Sequence, residues 1–155
     1  PWFLNIYKSY PKEIFRADAI RYFYMLHYGG IYADLDFECL KPITPYMKSS
    51  LHLITDKNQW VSNALMFSAP RQEFWKKVIY YGLMNKCKEP NVLYATGPAM
   101  LSNVYYSKCD KIMQNNTNLP KHLFYPINSY ENVEMKLKTI SKEVVTIHHF
   151  AHSWK

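Results

Sequence analysis

Residues 28–37, Tyr-Gly-Gly-Ile-Tyr-Ala-Asp-Leu-Asp-Phe, constrain the fold more than any other stretch of this chain. Ile31, Ala33, Leu35 and Phe37 alternate with Tyr32, Asp34 and Asp36, and a period of two is that of a strand whose successive side chains face opposite sides. The expected strand therefore has one apolar and one acidic face. Just before it, Ile14, Ala17, Ile20 and Tyr24 recur at helical spacing, and Gly29-Gly30 stands where a helix closes on a left-handed residue. Ser9 can cap free amides while Pro11 and Glu13 suit a first turn, so the expected helix runs from about 12 to 28.

The rest of the chain continues this alternation. Leu51–Thr55 and Val61–Ser68 read as strands, Arg71–Met84 as a helix with Phe74, Val78 and Tyr81 inward, and Gly97-Pro98 as the opening of a helix through Tyr106. Val144–Ile147 is a strand by composition. The class is α/β, and 155 residues without a dividing linker imply one domain with one core. No apolar run reaches the roughly 20 residues needed to span a bilayer. The chain begins with Pro1 and enters a helix almost at once, so an N-terminal portion is expected to be missing.

Composition narrows the partners. A net charge of +7 favours anionic ligands such as a nucleotide diphosphate or a lipid head group. The lysines are dispersed through 76–88, 108–121 and 136–142 without a dense run, which argues for a solvated basic surface and against a nucleic-acid footprint. Three cysteines, Cys39, Cys87 and Cys109, are too few and too far apart for a paired-cysteine metal site or a disulfide framework. The sequon Asn115-Asn116-Thr117 is usable in a secretory lumen and is weak evidence for one.

Two carboxylates at i and i+2 of a strand lie on one side with Cα atoms about 6.5–7 Å apart, and a hard divalent cation with its bound phosphates fits beside them. A solvent-facing acidic pair has the same spacing, so Asp34 and Asp36 alone do not choose between the two. Asp18 and Arg21 stand three apart and share a helix face, where they form either a surface ion pair or a donor and acceptor for sugar hydroxyls. Arg16 suits a phosphate contact or a structural partner better than a catalyst.

Arg16–Tyr22 followed by Tyr28–Asp36 resembles the DXD region of glycosyltransferase family 32. The blocks around Asn63 (Val61–Pro70), around Gly97 (Ala95–Ser102) and at His148-His149-Phe150 with Ser153-Trp154 are similar to the family's later blocks in the same order. The resemblance implies a GT-A-like open mixed sheet flanked by helices, here without its N-terminal nucleotide-base-binding portion, and transfer with retention of anomeric configuration. It implies a metal, Mn²⁺ or Mg²⁺, on Asp36 and Asp34 with His149 as third ligand, and Asp18, Arg21, Asn63, Gly97, Ser153 and Trp154 as substrate contacts. The implied partners are a nucleotide-sugar donor and a lipid or glycan acceptor, with mannose as the sugar. A Golgi or secretory membrane setting, through a segment absent here, is implied as well. His152 stands where the related pattern has Gly, so the loop's approach to a diphosphate is expected to differ. Two other readings share these residues. A divalent-metal hydrolase or nucleotidyltransferase needs further clustered acids, and Glu38 is the only one near the pair. A non-catalytic sugar-binding or scaffold domain keeps the fold without turnover.

Overall fold

The computed structural model describes residues 2–55, 60–85, 87–108, 118–128 and 131–151. A short helix α1 (Leu4–Ser9) leads into α2 (Glu13–His27), then β1 (Gly30–Ala33) and β2 (Phe37–Cys39). The strands β3 (Leu51–His52) and β4 (Leu65–Ser68) follow, and α3 (Glu73–Lys77) runs directly into a π-helical segment, Val78–Leu83. The remaining elements are α4 (Val92–Ala95), α5 (Pro98–Lys108), α6 (Lys121–Phe124), α7 (Val133–Leu137) and β5 (Thr146–His148). Helices and strands are mixed, as the α/β class implies, but they come in runs, with four strands between α2 and α3 and then helices through α7 before β5, and not in the alternation the sequence patterning suggests. No helix among the described residues is long and apolar enough to cross a membrane.

β4 is the centre of the molecule. It pairs antiparallel with β1 on one side and β3 on the other, and all four of its residues are buried. Because side chains alternate across a strand, Met66 enters the core formed with α2, α3 and α5, while Leu65 and Phe67 enter a second core with Phe124 and Val145. A strand covered on both faces reads as an unbroken apolar run, which is why Leu-Met-Phe is continuous here. A second ladder joins β2 to β5 in antiparallel register, Phe37 opposite His148 and Cys39 opposite Thr146. A parallel bridge between Leu53 and Asn118 makes the pairing mixed.

Several local expectations are corrected. Ser9 closes α1 by donating to the Ile6 carbonyl, and α2 is capped by the extended Lys12 with no side-chain cap. The buried residues of α2 are Phe15, Asp18, Ala19, Arg21, Tyr22 and Met25, whereas Ala17 and Tyr24 are exposed. Apolar periodicity misplaced this face because two of its buried residues, Asp18 and Arg21, are charged. Tyr81 lies outward, since the wider π-turn carries Ile79, Gly82 and Leu83 to the core instead. The strand expected over 31–37 stops at Ala33, and Asp34–Asp36 forms a turn closed by the Phe37 amide on the Asp34 carbonyl at 3.1 Å.

Tyr22 anchors the helical side. Its ring stacks on Trp75 at 6.1 Å, its hydroxyl donates to the Thr96 carbonyl at 2.8 Å, and the Trp75 indole donates to the buried Ser68 hydroxyl at 2.8 Å. The turn from α2 into β1 runs through Gly29 and Gly30 at φ of 65° and 84°. A Cβ on Gly29 would sit 2.5 Å from the Pro70 nitrogen and 2.6 Å from the Ser68 carbonyl, while one on Gly30 meets nothing within 4 Å. Gly30→Ala is therefore expected to cost only left-handed strain, about 1–2 kcal/mol. Gly29→Ala adds a backbone collision and should cost more than about 3 kcal/mol. Denaturant unfolding of the two variants measures the difference, and equal losses would refute the close approach.

Candidate active site and metal centre

A cleft of about 930 Å³ opens beside the turn after β1, within the size range of small-molecule sites. One wall comes from α2, the Asp34–Asp36 turn and the loop before β4, and the other from α6 and the segment after β5. Asp18, Arg21, Asn63, Asp34 and Asp36 all line it.

Its floor is a buried polar cluster. The Arg21 guanidinium donates from Nη2 to Asp18 Oδ1 at 2.7 Å, and from Nη1 to Asp34 Oδ1 at 3.2 Å and to the Asn63 carbonyl at 2.8 Å. Its face lies over the Tyr32 ring, 4.6 Å from the centroid. Asp18 also accepts from the Asn63 amide at 3.2 Å and from the Thr96 hydroxyl at 3.3 Å. The i, i+3 spacing thus builds a pair that is 5% and 4% exposed, where water screens little. Burial pushes the Asp18 carboxyl up, to about 6, against the pull of Arg21 and with a push from Asp34. Burial pulls Arg21 down, but the fields of Asp18 and Asp34 outweigh it and hold the guanidinium above its ordinary value. Two carboxylates share one cation, and the deeper of them bears the cost.

The acidic turn is held from three sides. The Asp34 amide donates to the Ala64 carbonyl at 2.9 Å, which extends the β1–β4 ladder by one residue. Asp34 Oδ1 also accepts from the Tyr32 hydroxyl at 2.8 Å. Asp36 Oδ1 lies 3.1 Å from His148 Nε2, its Oδ2 accepts from the Ala151 amide at 2.9 Å, and its carbonyl accepts from the His149 amide at 2.9 Å. One ligand atom each from Asp34, Asp36 and His148 come within 4.8 Å of one another. Two carboxylates and an imidazole are a donor set suited to a first-row divalent ion.

His148, and not His149, stands beside the carboxylates. The Phe37–His148 register turns the His148 ring into the cleft, stacked on Phe37 at 4.5 Å and 4.0 Å from the Phe150 ring. The next residue faces the other way, and the His149 ring meets Glu38 at 3.0 Å at the surface. Gly97 is not among the cleft residues. It packs under α4, where a Cβ would lie 3.0 Å from the Leu93 Cα and the Val92 carbonyl, and its neighbours Thr96 and Pro98 reach the site instead. Arg16 is held by Glu13 and by the Tyr10 carbonyl, a structural arrangement. Ser153, Trp154, His152 and the Asn115 sequon lie outside the described residues. Sequence reasoning passed over Thr96, Tyr32 and Tyr125, whose hydroxyls hold Asp18, Asp34 and His148. Thr96 lay inside a quoted block; the tyrosines carried no signal in a chain with fourteen of them.

The fold is one that a glycosyltransferase of known structure shares. The solved structure of the PaToxG glycosyltransferase superposes with a TM-score of 0.54 over 67% of this chain and 39% of that one, at 20% identity, a likeness of fold. Residues 1–66 match the family described as the glycosyltransferase sugar-binding region containing DXD motif. That stretch is the DXD region of these glycosyltransferases, and it agrees with the resemblance of the motif blocks to family 32. It is 41% identical to mannosyl phosphorylinositol ceramide synthase CSH1 of Saccharomyces cerevisiae over 68% of this chain and 29% of that protein. Identity to SUR1, the synthase of the same name in that yeast, is 35% over 84% and 36%. With inositol phosphoceramide mannosyltransferase 1 of Schizosaccharomyces pombe it is 35% over 65% and 33%. The chain spans about a third of the length of these relatives.

Because burial raises Asp18, the folded state holds its proton more tightly than the unfolded chain between about pH 4 and 6, and stability falls as pH rises through that window. A shift of this size corresponds to at most about 3 kcal/mol. Asp18→Asn should remove this loss, so wild type is expected to weaken relative to the variant from pH 4 to 6. Urea titrations at several pH values, with the carboxyl followed by ¹³C NMR, check both the sign and the midpoint.

Proposed function

We propose that this chain is the DXD-bearing part of a retaining glycosyltransferase that transfers mannose from a nucleoside-diphosphate sugar to a lipid or glycan acceptor. The convergence of Asp34, Asp36 and His148 on one rim of a cleft floored by Asp18, Arg21 and Asn63 carries this reading. The names of its relatives, which are mannosyltransferases of inositol phosphoceramide and of alpha-1,6 linkages, support the choice of sugar and acceptor. A single domain over 1–155 and a Golgi membrane setting belong to the same proposal.

Asp34, Asp36 and His148 would hold Mn²⁺, or Mg²⁺, which when bound neutralises the charge on a departing diphosphate. The chain's own groups are arranged for that load. In the neutral His148 ring, Asp36 accepts from Nε2–H, so Nδ1 accepts from the Tyr125 hydroxyl 2.6 Å away. Ligation through Nε2 needs the proton on Nδ1, and the Tyr125 oxygen serves equally as acceptor. Arg21 keeps Asp34 turned to the rim. Its five N–H groups have four partners, and Asp18 has lone-pair capacity beyond its three donors, so a donor sugar's hydroxyls find both an N–H and a carboxylate at the floor.

Asp36→Ala and His148→Ala are each expected to weaken Mn²⁺ binding at least about tenfold, while His149→Ala stays within about threefold of wild type. Calorimetry on folded protein measures this, and Mn²⁺-dependent hydrolysis across a panel of nucleoside-diphosphate sugars tests turnover. Metal affinity indifferent to both Asp36 and His148 would sink the metal centre. Donor binding without any turnover by the full-length protein would favour a sugar-binding module.

A further inference from the structure

Among the described residues the cleft carries two basic side chains, Arg21 and Lys121, and they are in opposite situations. Arg21 is enclosed by Asp18 and Asp34 and its charge is spent on them. Lys121, at the start of α6 on the facing wall, is half-buried and forms no ion pair with a carboxylate among the described residues. Its ammonium donates instead to a neutral acceptor, Asn128 Oδ1, at 2.6 Å.

That contact is built. Glu131 Oε2 accepts from the Asn128 backbone amide at 2.6 Å and from its side-chain Nδ2 at 2.8 Å. The hydrogen bond from the Asn128 amide holds the Glu131 carboxyl below its ordinary range. With Nδ2 committed to the carboxylate, the amide oxygen is the end left to face Lys121, which fixes the orientation of the amide. The outcome is an ammonium oriented by a dipole, with two further N–H donors, in a cleft wall that limits its hydration. Tyr125 follows four residues later, lines the same cleft and bonds His148. The uncompensated cation therefore stands on the short element that also positions the proposed metal ligand.

We propose that Lys121 and Asn128 form a phosphate subsite, which binds a phosphate or phosphodiester group of a ligand occupying the cleft. A tetrahedral dianion supplies the charge that Lys121 lacks and accepts its remaining donors. The inference rests on the reading of the cleft as a transferase site only for the source of that phosphate. It is either the donor's diphosphate or a phosphoinositol-type group on the acceptor.

The two probes are Mn²⁺ with a nucleoside diphosphate, and myo-inositol 1-phosphate, titrated by calorimetry into the full-length protein and its variants. Lys121→Gln is expected to weaken at least one probe about tenfold or more, with Lys121→Arg restoring it to within about threefold and Mn²⁺ alone binding as in wild type. Loss of inositol phosphate alone assigns the subsite to the acceptor, and loss of the diphosphate alone assigns it to the donor. Asn128→Asp, which places a carboxylate on the ammonium, should reproduce the loss and serves if Lys121→Gln fails to fold. Unchanged affinity for both probes in the folded variants, or no binding of either by wild type, overturns the subsite. Wild type that binds inositol phosphate through Lys121 but no Mn²⁺-nucleotide keeps the subsite and removes the transferase reading instead.

Discussion

Everything on the cleft floor hangs on one buried guanidinium. Arg21 ties α2 to the turn after β1 through Asp34 and to the loop before β4 through the Asn63 carbonyl. Burying two charges in an apolar setting costs several kcal/mol per ion, and hydrophobic replacements of such pairs are often as stable or more so. The cluster is therefore hard to explain as a stabilising device. Its effect is to fix Asp34 before any ligand arrives, and Asp18 pays for this with a carboxyl pushed toward its neutral form. Preorganised charge is what a site for a dianionic leaving group requires, because reorientation at the moment of reaction is avoided.

Asp36 plays the complementary part on the rim. With its carbonyl and both carboxylate oxygens it gathers the amides of His149 and Ala151 and the ring of His148, more than a hundred residues along the chain. Only the β2–β5 ladder makes this possible, and Phe150 turns the chain at φ of 51° so that the following amide points back at the carboxylate. A carboxylate engaged in this way is already oriented, as Asp34 is, but by a different segment. The two acids are thus held by opposite walls of one cleft.

The sequence made helices and strands legible where the pattern was long or strongly apolar, as in α2, α5 and β4, and much of the floor came through as well. Asp18, Arg21, Asn63, Asp34 and Asp36 were singled out and line one cleft. What it could not convey was the state of the Asp-x-Asp itself. Alternation implied a strand through Phe37, yet two like charges two residues apart sit here in a turn, each with its own partners. The sequence reading put His149 beside the carboxylates and the structure puts His148 there, because the order His-His leaves the pleat undetermined until the register with β2 is known. Lys121 carried no local signal at all: its setting is made by Asn128 and Glu131 and by the return of α6 onto β5.

The two walls also differ in where their information lies. The stretch that matches the family, residues 1–66, supplies α2, the acidic turn and the Asn63 loop. The facing wall of Lys121, Tyr125, Asn128 and His148 lies wholly beyond it. On the proposed reading, the two acids that would hold the metal lie on the first wall, and His148 of the facing wall completes their set. The groups of the second wall are mounted on a short helix and a three-residue strand, and this wall is itself anchored to β4, because Phe124 and Val145 pack with Leu65 and Phe67. Discrimination between substrates is a difference between contacts made to one and denied to another. It is cheapest to alter at side chains that the core does not enclose, and on the second wall Lys121, half-buried and without a carboxylate partner among the described residues, is such a side chain.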